Sequence, residues 1–168
     1  DDCAQNCDDH NLPPDKFRHG LRGRLPLMPN AVSLLRFASA NLYGPIPKQW
    51  CTLENLNSMT LMNLPLVTGG IPACISDVQG LIQLTLINLP GLAGEIPRSL
   101  FNAKWSGLLP LQLKIVNTML NGSVFPATIA ENCTISTIQI LNNPQLGGVI
   151  PPTIKNCPLS RIEITGSS

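Results

Sequence analysis

The sequence contains few charged and few aromatic residues. Charged residues make up 12% of its 168 positions, against about a quarter in typical soluble domains, and aromatic residues only 4%. A formal net charge of +1 provides no basic surface for nucleic acid or for anionic lipid. Every apolar run is broken by Pro, Gly or Asn before the roughly 18 residues that a membrane-spanning helix needs. We therefore expect no nucleic-acid partner and no membrane span in this chain.

Apolar residues, glycine and proline are abundant instead. Hydrophobic residues make up 43% of the chain, which argues against intrinsic disorder. The 13 glycines and 16 prolines interrupt the apolar segments at intervals. The spacing of these interruptions is therefore the main structural signal in the sequence.

The cysteines and glycosylation motifs indicate the compartment. The chain has six cysteines, no Cys-x-x-Cys pair and only two histidines, His10 and His19, which favours disulfides over a zinc site. Sequons begin at Asn121 and Asn132, where we expect N-linked glycans. The polar start at Asp1 suggests a mature terminus left by processing. Together these features predict an extracellular protein, either secreted or displayed at the cell surface.

A Gly-x-Ile-Pro block recurs about every 25 residues. A short apolar alternation such as Leu84-x-Leu86 precedes the blocks, and alternation with period two is typical of a strand. One strand per coil, followed each time by the same turn, predicts a solenoid rather than a compact globule. The blocks begin at Gly44, Gly69, Gly94 and Gly148, with degenerate copies at Gly23 and Gly122.

The unit from Leu81 to Leu100 reads Leu-x-x-Leu-x-Leu-x-Asn-x-Pro-x-Leu-x-Gly-x-Ile-Pro-x-x-Leu. It resembles the plant-type extracellular leucine-rich repeat (LRR) of receptor-kinase ectodomains and polygalacturonase-inhibiting proteins. The resemblance covers about residues 21–165 and implies an α/β-type, mostly β solenoid that winds as a right-handed superhelix. Such a superhelix has a concave parallel β-sheet, here of about six strands, and an irregular or 3₁₀ convex side. We expect residues 1–20, with Cys3 and Cys7, to form an N-terminal cap, and residues 21–168 to form about five coils plus an uncapped last strand.

The asparagines depart from the family pattern. Plant-type repeats carry an Asn three residues after the last strand leucine, and here only Asn143 matches. We interpret the amides found one residue earlier as a shifted ladder that bonds backbone groups of the adjoining coil. The alternative is a set of exposed turn residues, which Asn also favours. These positions hold Ser39, Asn63, Asn88, Asn117 and Asn142.

Stacking of the coils brings cysteines together. Cys133 and Cys157 each lie five residues before the first apolar residue of their strand, Ile138 and Ile162, so they occupy equivalent sites about 5 Å apart on successive coils. Cys51 and Cys74 follow the Ile-Pro prolines of adjacent coils. The alternative for these coil pairs is buried free thiols, since cysteine packs as a small hydrophobic residue. We predict the disulfides Cys3–Cys7, Cys51–Cys74 and Cys133–Cys157.

No arrangement in the sequence predicts catalysis. His10 and His19 lie among five aspartates in the N-terminal segment, which we interpret as a solvated cap. No serine in the repeats has a nearby histidine, and no pair of carboxylates falls on neighbouring strands. The Gly-x-Ile-Pro block lacks the lysine and the helix of a phosphate loop. We therefore expect no enzyme activity, no cofactor and no metal.

The concave sheet is the surface expected to bind a partner. Its outward strand positions form a polar column beside a mostly apolar one, as in protein- and peptide-binding surfaces. The alternative is that a parallel sheet simply favours β-branched and apolar residues. The candidate binding residues are Arg36, Met62, Thr85, Ile87, Lys114, Val116, Gln139 and Leu141.

The sequence thus predicts a secreted, non-catalytic LRR module that recognises an extracellular protein, peptide or glycan through its concave face. One alternative is a structural subunit of an extracellular assembly or filament. Polygalacturonase inhibition and ice binding are alternatives that the resemblance implies, although Thr60, Thr85 and Thr137 form no unbroken threonine array. Ile162 and Ile164 would lie on an uncapped edge strand, which predicts either a fragment of a longer protein or end-to-end self-association at that edge.

Overall fold

The computed structural model describes residues 21–103 and 109–167. Within these ranges the strands recur with the period that the repeat predicts, and 3₁₀ turns follow four of the Ile-Pro blocks. The N-terminal segment 1–20, and with it the predicted cap and the Cys3–Cys7 pair, lies outside the described residues. The strands are β1 (Arg22–Arg24), β2 (Leu34–Ala38), β3 (Asn41–Pro45), β4 (Ser58–Met62), β5 (Leu66–Thr68), β6 (Gln83–Gly94), β7 (Leu111–Leu120), β8 (Gly122–Ser123), β9 (Ile135–Leu141), β10 (Leu146–Gly147) and β11 (Arg161–Thr165).

One parallel sheet of six strands runs the length of the solenoid, and we call it the concave sheet. Its strand order is β11-β9-β7-β6-β4-β2, so each strand pairs with the corresponding strand of the next coil. Shorter strands form a second row, in which β1, β3 and β5 make one parallel sheet and β8 pairs with β10. The predicted solenoid, mostly β and with about six parallel strands in its main sheet, is confirmed.

Alternation along each strand of the concave sheet fills the core. In β6, Leu84 and Leu86 are at most 1% exposed, and their register partners Leu113 and Ile115 on β7 are fully buried. Equivalent apolar side chains therefore stack as layers along the solenoid axis, and no coil could bury them alone. Among the described strands, β11 pairs on one side only, and its Ile162 is 44% exposed.

The Gly-x-Ile-Pro block turns the chain toward the convex side. Its glycines have φ between 77° and 135°, a region that residues with a Cβ rarely enter. The isoleucine packs inward in the first three full blocks, as Ile71 and Ile96 show, whereas Ile150 in the last block is 54% exposed. The proline starts a 3₁₀ turn by accepting a hydrogen bond from the residue three positions later. These turns span Lys48–Thr52, Ala73–Asp77, Arg98–Phe101 and Pro152–Asn156. No helix in the described part of the chain is long and apolar enough to cross a membrane.

Two disulfides join successive coils on the convex side. Cys51 is bonded to Cys74 and Cys133 to Cys157, with Cα atoms 5.7 and 4.7 Å apart. These are two of the three predicted pairings. Each bond links equivalent regions of neighbouring coils, because stacking converts a sequence separation of 23 or 24 residues into contact.

Candidate functional site

The predicted binding residues lie in two adjacent columns on the outer surface of the concave sheet. The polar column follows the register Arg36, Thr60, Thr85, Lys114, Gln139, Glu163. Two positions further along each strand, the apolar column follows the register Ala38, Met62, Ile87, Val116, Leu141, Thr165. The structure therefore places all eight candidate residues on one face. Whether that face binds a partner stays a prediction.

The two columns differ in accessibility. Met62, Ile87, Val116 and Leu141 are each half-buried, so the apolar column forms a continuous stripe that solvent still reaches. Thr85 departs from its predicted role as a contact residue, because only 6% of it is exposed. Gln83, two residues earlier on β6, donates a hydrogen bond from Nε2 to Thr85 Oγ1 at 3.2 Å. The threonine is thus satisfied within the sheet and presents little surface to a partner.

Charge on the concave sheet is mostly positive. Its one carboxylate among the described residues, Glu163, accepts hydrogen bonds from Gln139 Nε2 at 3.0 Å and from Arg161 at 2.7 Å. These hydrogen bonds, led by that from Gln139, lower the pKa of Glu163 below its ordinary value. Arg36 and Lys114 form no ion pair with any carboxylate in the described part of the chain. Lys114 lies close enough to Glu163 for its charge to lower the pKa of that carboxylate further.

Replacing Arg161 with glutamine should raise the pKa of Glu163 toward that of an isolated glutamate. The replacement removes both a charge-assisted hydrogen bond and a favourable Coulomb interaction with the carboxylate. In the native chain the depressed pKa contributes stability above the unfolded-state pKa, and this contribution is lost as pH falls through the folded-state pKa. An NMR titration of the Glu163 side-chain carbon measures the shift. An unchanged titration midpoint in the variant would contradict the arrangement.

A row of exposed polar side chains follows the apolar column. Each member has left-handed backbone, with φ between 51° and 54°. Asn63 donates to Ser39 Oγ at 3.3 Å, Asn88 to Asn63 Oδ1 at 2.7 Å, and Asn117 to Asn88 Oδ1 at 2.6 Å. We call this row the amide ladder, and its members are Ser39, Asn63, Asn88, Asn117 and Asn142.

The predicted role of the amide ladder is wrong. The amides of Asn63, Asn88 and Asn117 bond side chains of the same row rather than backbone groups, and all members of the row are exposed, as the alternative proposed. The left-handed backbone explains the choice of residue, because asparagine tolerates this conformation better than most residues with a Cβ. The ladder is therefore a side-chain structure on the surface.

Asn143, which is fully buried, is the asparagine that forms hydrogen bonds with backbone groups. Its Nδ2 donates to the carbonyls of Ile115 at 3.1 Å and Leu141 at 2.9 Å. Its Oδ1 accepts from the backbone N–H and the hydroxyl of Thr118, at 3.0 and 2.7 Å. The same position holds buried Leu64 and Leu89 in earlier coils. Within the described chain, Asn143 is therefore the one asparagine at this position that bonds backbone groups, as the plant-type repeat pattern implies.

The remaining predicted sites lie off the concave sheet. Asn121 follows β7 and Asn132 precedes Cys133, and both side chains are exposed. The structure thus leaves both asparagines accessible, and neither belongs to the two columns. Among the described residues, no group of three His, Cys, Asp or Glu side chains is arranged to hold a metal ion.

Comparison with solved structures identifies the fold. The LRR ectodomain of the Arabidopsis thaliana receptor kinase GASSHO1/SCHENGEN3, in complex with CASPARIAN STRIP INTEGRITY FACTOR 2, superposes with a TM-score of 0.73 at 29% identity, over 89% of this chain and 18% of that one. The plant peptide hormone receptor RGFR1, in complex with RGF2, gives 0.61 at 20% identity, over 89% and 27%. A plant ice-binding protein gives 0.54 at 21% identity, over 89% and 54%.

The structure is therefore an LRR solenoid of the kind found in plant receptor-kinase ectodomains. The chain spans about a fifth to a quarter of the length of the two receptor chains it matches. No protein-family model and no curated protein matches the sequence.

Proposed function

We propose that the chain is a secreted or cell-surface, non-catalytic recognition module that binds an extracellular peptide or protein segment along the concave sheet. The observation that carries this proposal is the stripe of half-buried apolar side chains from Met62 to Leu141. It lies beside Arg36 and Lys114, two cations that form no ion pair within the described residues. An accessible apolar stripe bordered by polar groups is the usual arrangement of a protein-binding surface.

Receptor ectodomains that share the fold support the proposal. Two of them were solved as complexes, and one of the two is described as a peptide hormone receptor. The disulfides that join coils support an oxidising compartment. We extend the proposal to N-linked glycans at Asn121 and Asn132, since both side chains are exposed and lie off the two columns.

The physical chemistry of the two columns defines the partner. Burial of the apolar column would supply a favourable hydrophobic contribution of about 25 cal/mol per Å² of apolar surface removed from water, which the entropic cost of association partly offsets. Arg36 and Lys114 would favour an acidic group and disfavour a basic one, and this selection weakens as salt is added. The proposed partner is therefore an extended segment with apolar residues and at least one carboxylate.

Replacing Met62, Ile87 and Leu141 together with aspartate should lower affinity for such a partner by about tenfold or more, because each change places a charge in the apolar column. The probe is a peptide selected on the native protein from a random dodecapeptide library, and fluorescence anisotropy measures its binding. The matched control places aspartate at three exposed positions off the concave sheet, which are Ala73, Gln79 and Thr128. Equal peptide affinity in the concave variant and the control would reject the concave sheet as the binding surface.

A further inference from the structure

The amide ladder presents hydrogen-bonding groups that the two columns do not use. Asn63, Asn88 and Asn117 lie at the position directly after the apolar column on three successive strands. Their hydrogen bonds all point the same way, from each amide nitrogen to the oxygen of the previous coil. Three hydrogen bonds thus connect four members of the ladder before a ligand arrives.

Each rung keeps hydrogen-bonding capacity toward solvent. A carboxamide has two N–H donors and two carbonyl lone pairs. The ladder bonds use one donor of Asn63, Asn88 and Asn117 and one lone pair of Asn63 and Asn88. Since these side chains are exposed, an unused donor and an unused acceptor remain beside each other on each rung. A sugar hydroxyl, which donates and accepts at once, is the complementary group.

The spacing of the rungs restricts the ligand further. Neighbouring strands lie about 4.8 Å apart, so the five members span about 19 Å. A sugar residue in an extended β-linked chain is about as long as this spacing, so successive sugars could meet successive rungs. An extended peptide advances about 3.3 Å per residue or 6.6 Å per two residues, and its groups would lose register with the rungs.

The surroundings of the ladder indicate a neutral ligand. The ladder itself carries no charge, and the side chains directly before it on each strand are the aliphatic Met62, Ile87 and Val116. Aliphatic side chains beside an amide row match a sugar ring, which presents C–H groups on its face and hydroxyl groups at its edge.

We propose that the amide ladder, together with the flank of the apolar column, binds a neutral β-linked polysaccharide laid across the strands of the concave sheet. One sugar residue faces each rung, its hydroxyls bonded to the free amide groups and its ring against the aliphatic side chains. This proposal shares the apolar column with the proposed peptide site, but it depends on the amides of Asn63, Asn88 and Asn117, which peptide recognition does not use.

The test removes the amides without disturbing the backbone. Glycine accepts the left-handed conformation, and Gly166 already occupies the corresponding position after β11 with φ of 63°. The variant carries Asn63→Gly, Asn88→Gly and Asn117→Gly, and its control carries Gln79→Gly, which removes an exposed amide on the convex side. Circular dichroism and thermal melting establish that both remain folded, and Asn88→Gly alone replaces the triple variant if that unfolds.

Retention on insoluble cellulose, chitin and β-mannan is then measured for the native chain and the two variants. We expect the native chain and the control to be retained by at least one polysaccharide, and the triple variant to bind that material about tenfold less. Retention of the native chain by none of the three, or equal retention of the triple variant, would overturn the proposal. Ice-growth inhibition that depends on the ladder, without polysaccharide retention, would also overturn it. Peptide affinity is measured on the same triple variant. Unchanged peptide affinity beside reduced polysaccharide retention would show that the loss is specific to the amide ladder.

Discussion

Replacing Asn143 with leucine is expected to lower the free energy of unfolding by about 3 kcal/mol or more, because each buried polar group left unpaired costs about 1–3 kcal/mol. The replacement removes the hydrogen bonds that Asn143 makes with the Ile115 carbonyl, the Leu141 carbonyl and the Thr118 N–H. Leucine occupies the same position in two earlier coils, at Leu64 and Leu89, so the fold tolerates a side chain of this kind there. The expected loss of stability would therefore come from the lost hydrogen bonds rather than from poor packing of the leucine.

Urea unfolding at equilibrium measures this loss. The matched control is Asn142→Gly, which removes the neighbouring exposed amide and keeps a residue suited to the left-handed backbone at φ 54°. We expect the control to change stability by less than about 1 kcal/mol, as surface substitutions usually do. A loss below about 1 kcal/mol for Asn143→Leu would mean that the buried groups find other partners, contrary to the structure.

Replacing Ile140 with alanine should cost about 2–5 kcal/mol, the range found for large-to-small changes in well-packed cores. Ile140 on β9 is fully buried, with Ile115 of β7 and Ile164 of β11 as its register partners on either side. The alanine would leave a cavity within a layer that neighbouring coils hold in place, so collapse of the surroundings can fill little of it.

The same substitution at Ile164 provides the comparison. Ile164 has the same residue type in the same column but is only partly buried, because in the described chain its strand pairs on one side only. We expect Ile164→Ala to cost clearly less than Ile140→Ala in urea unfolding. Equal losses would show that the layer at β11 is packed as tightly in solution as the layer at β9.

The repeat made most of the fold predictable from the sequence. Glycine with positive φ and the proline that starts each 3₁₀ turn recur about every 25 residues, so the structure of one coil predicts that of the next. Cys133 and Cys157 could be paired for the same reason, since equal offsets from the strands become equal positions in space. Wherever successive coils carry the same residue type, the sequence of one coil was sufficient to predict the local structure.

Features that depend on differences between coils could not be predicted. Thr85 faces outward like the rest of its column, yet it is buried and hydrogen-bonded to Gln83. The side chain of Asn143 accepts a hydrogen bond from Thr118 of the preceding coil. Neither residue recurs at the same position in other coils, so the repeat pattern could not predict this contact. The sequence located the amide ladder but did not show that its members bond one another. Each of these outcomes depends on which side chain the adjacent coil supplies.

The disulfides determine how the solenoid would respond to a pulling force. Tension between the two ends would peel coils apart one at a time, because each coil is held mainly by the coils beside it. Cys51–Cys74 and Cys133–Cys157 close loops of 23 and 24 residues, and covalent closure removes those residues from the length that force can extend. At about 3.4 Å per residue, each bond withholds roughly 80 Å of contour. Under load the chain would lengthen first outside these two loops, and chemical reduction would release them.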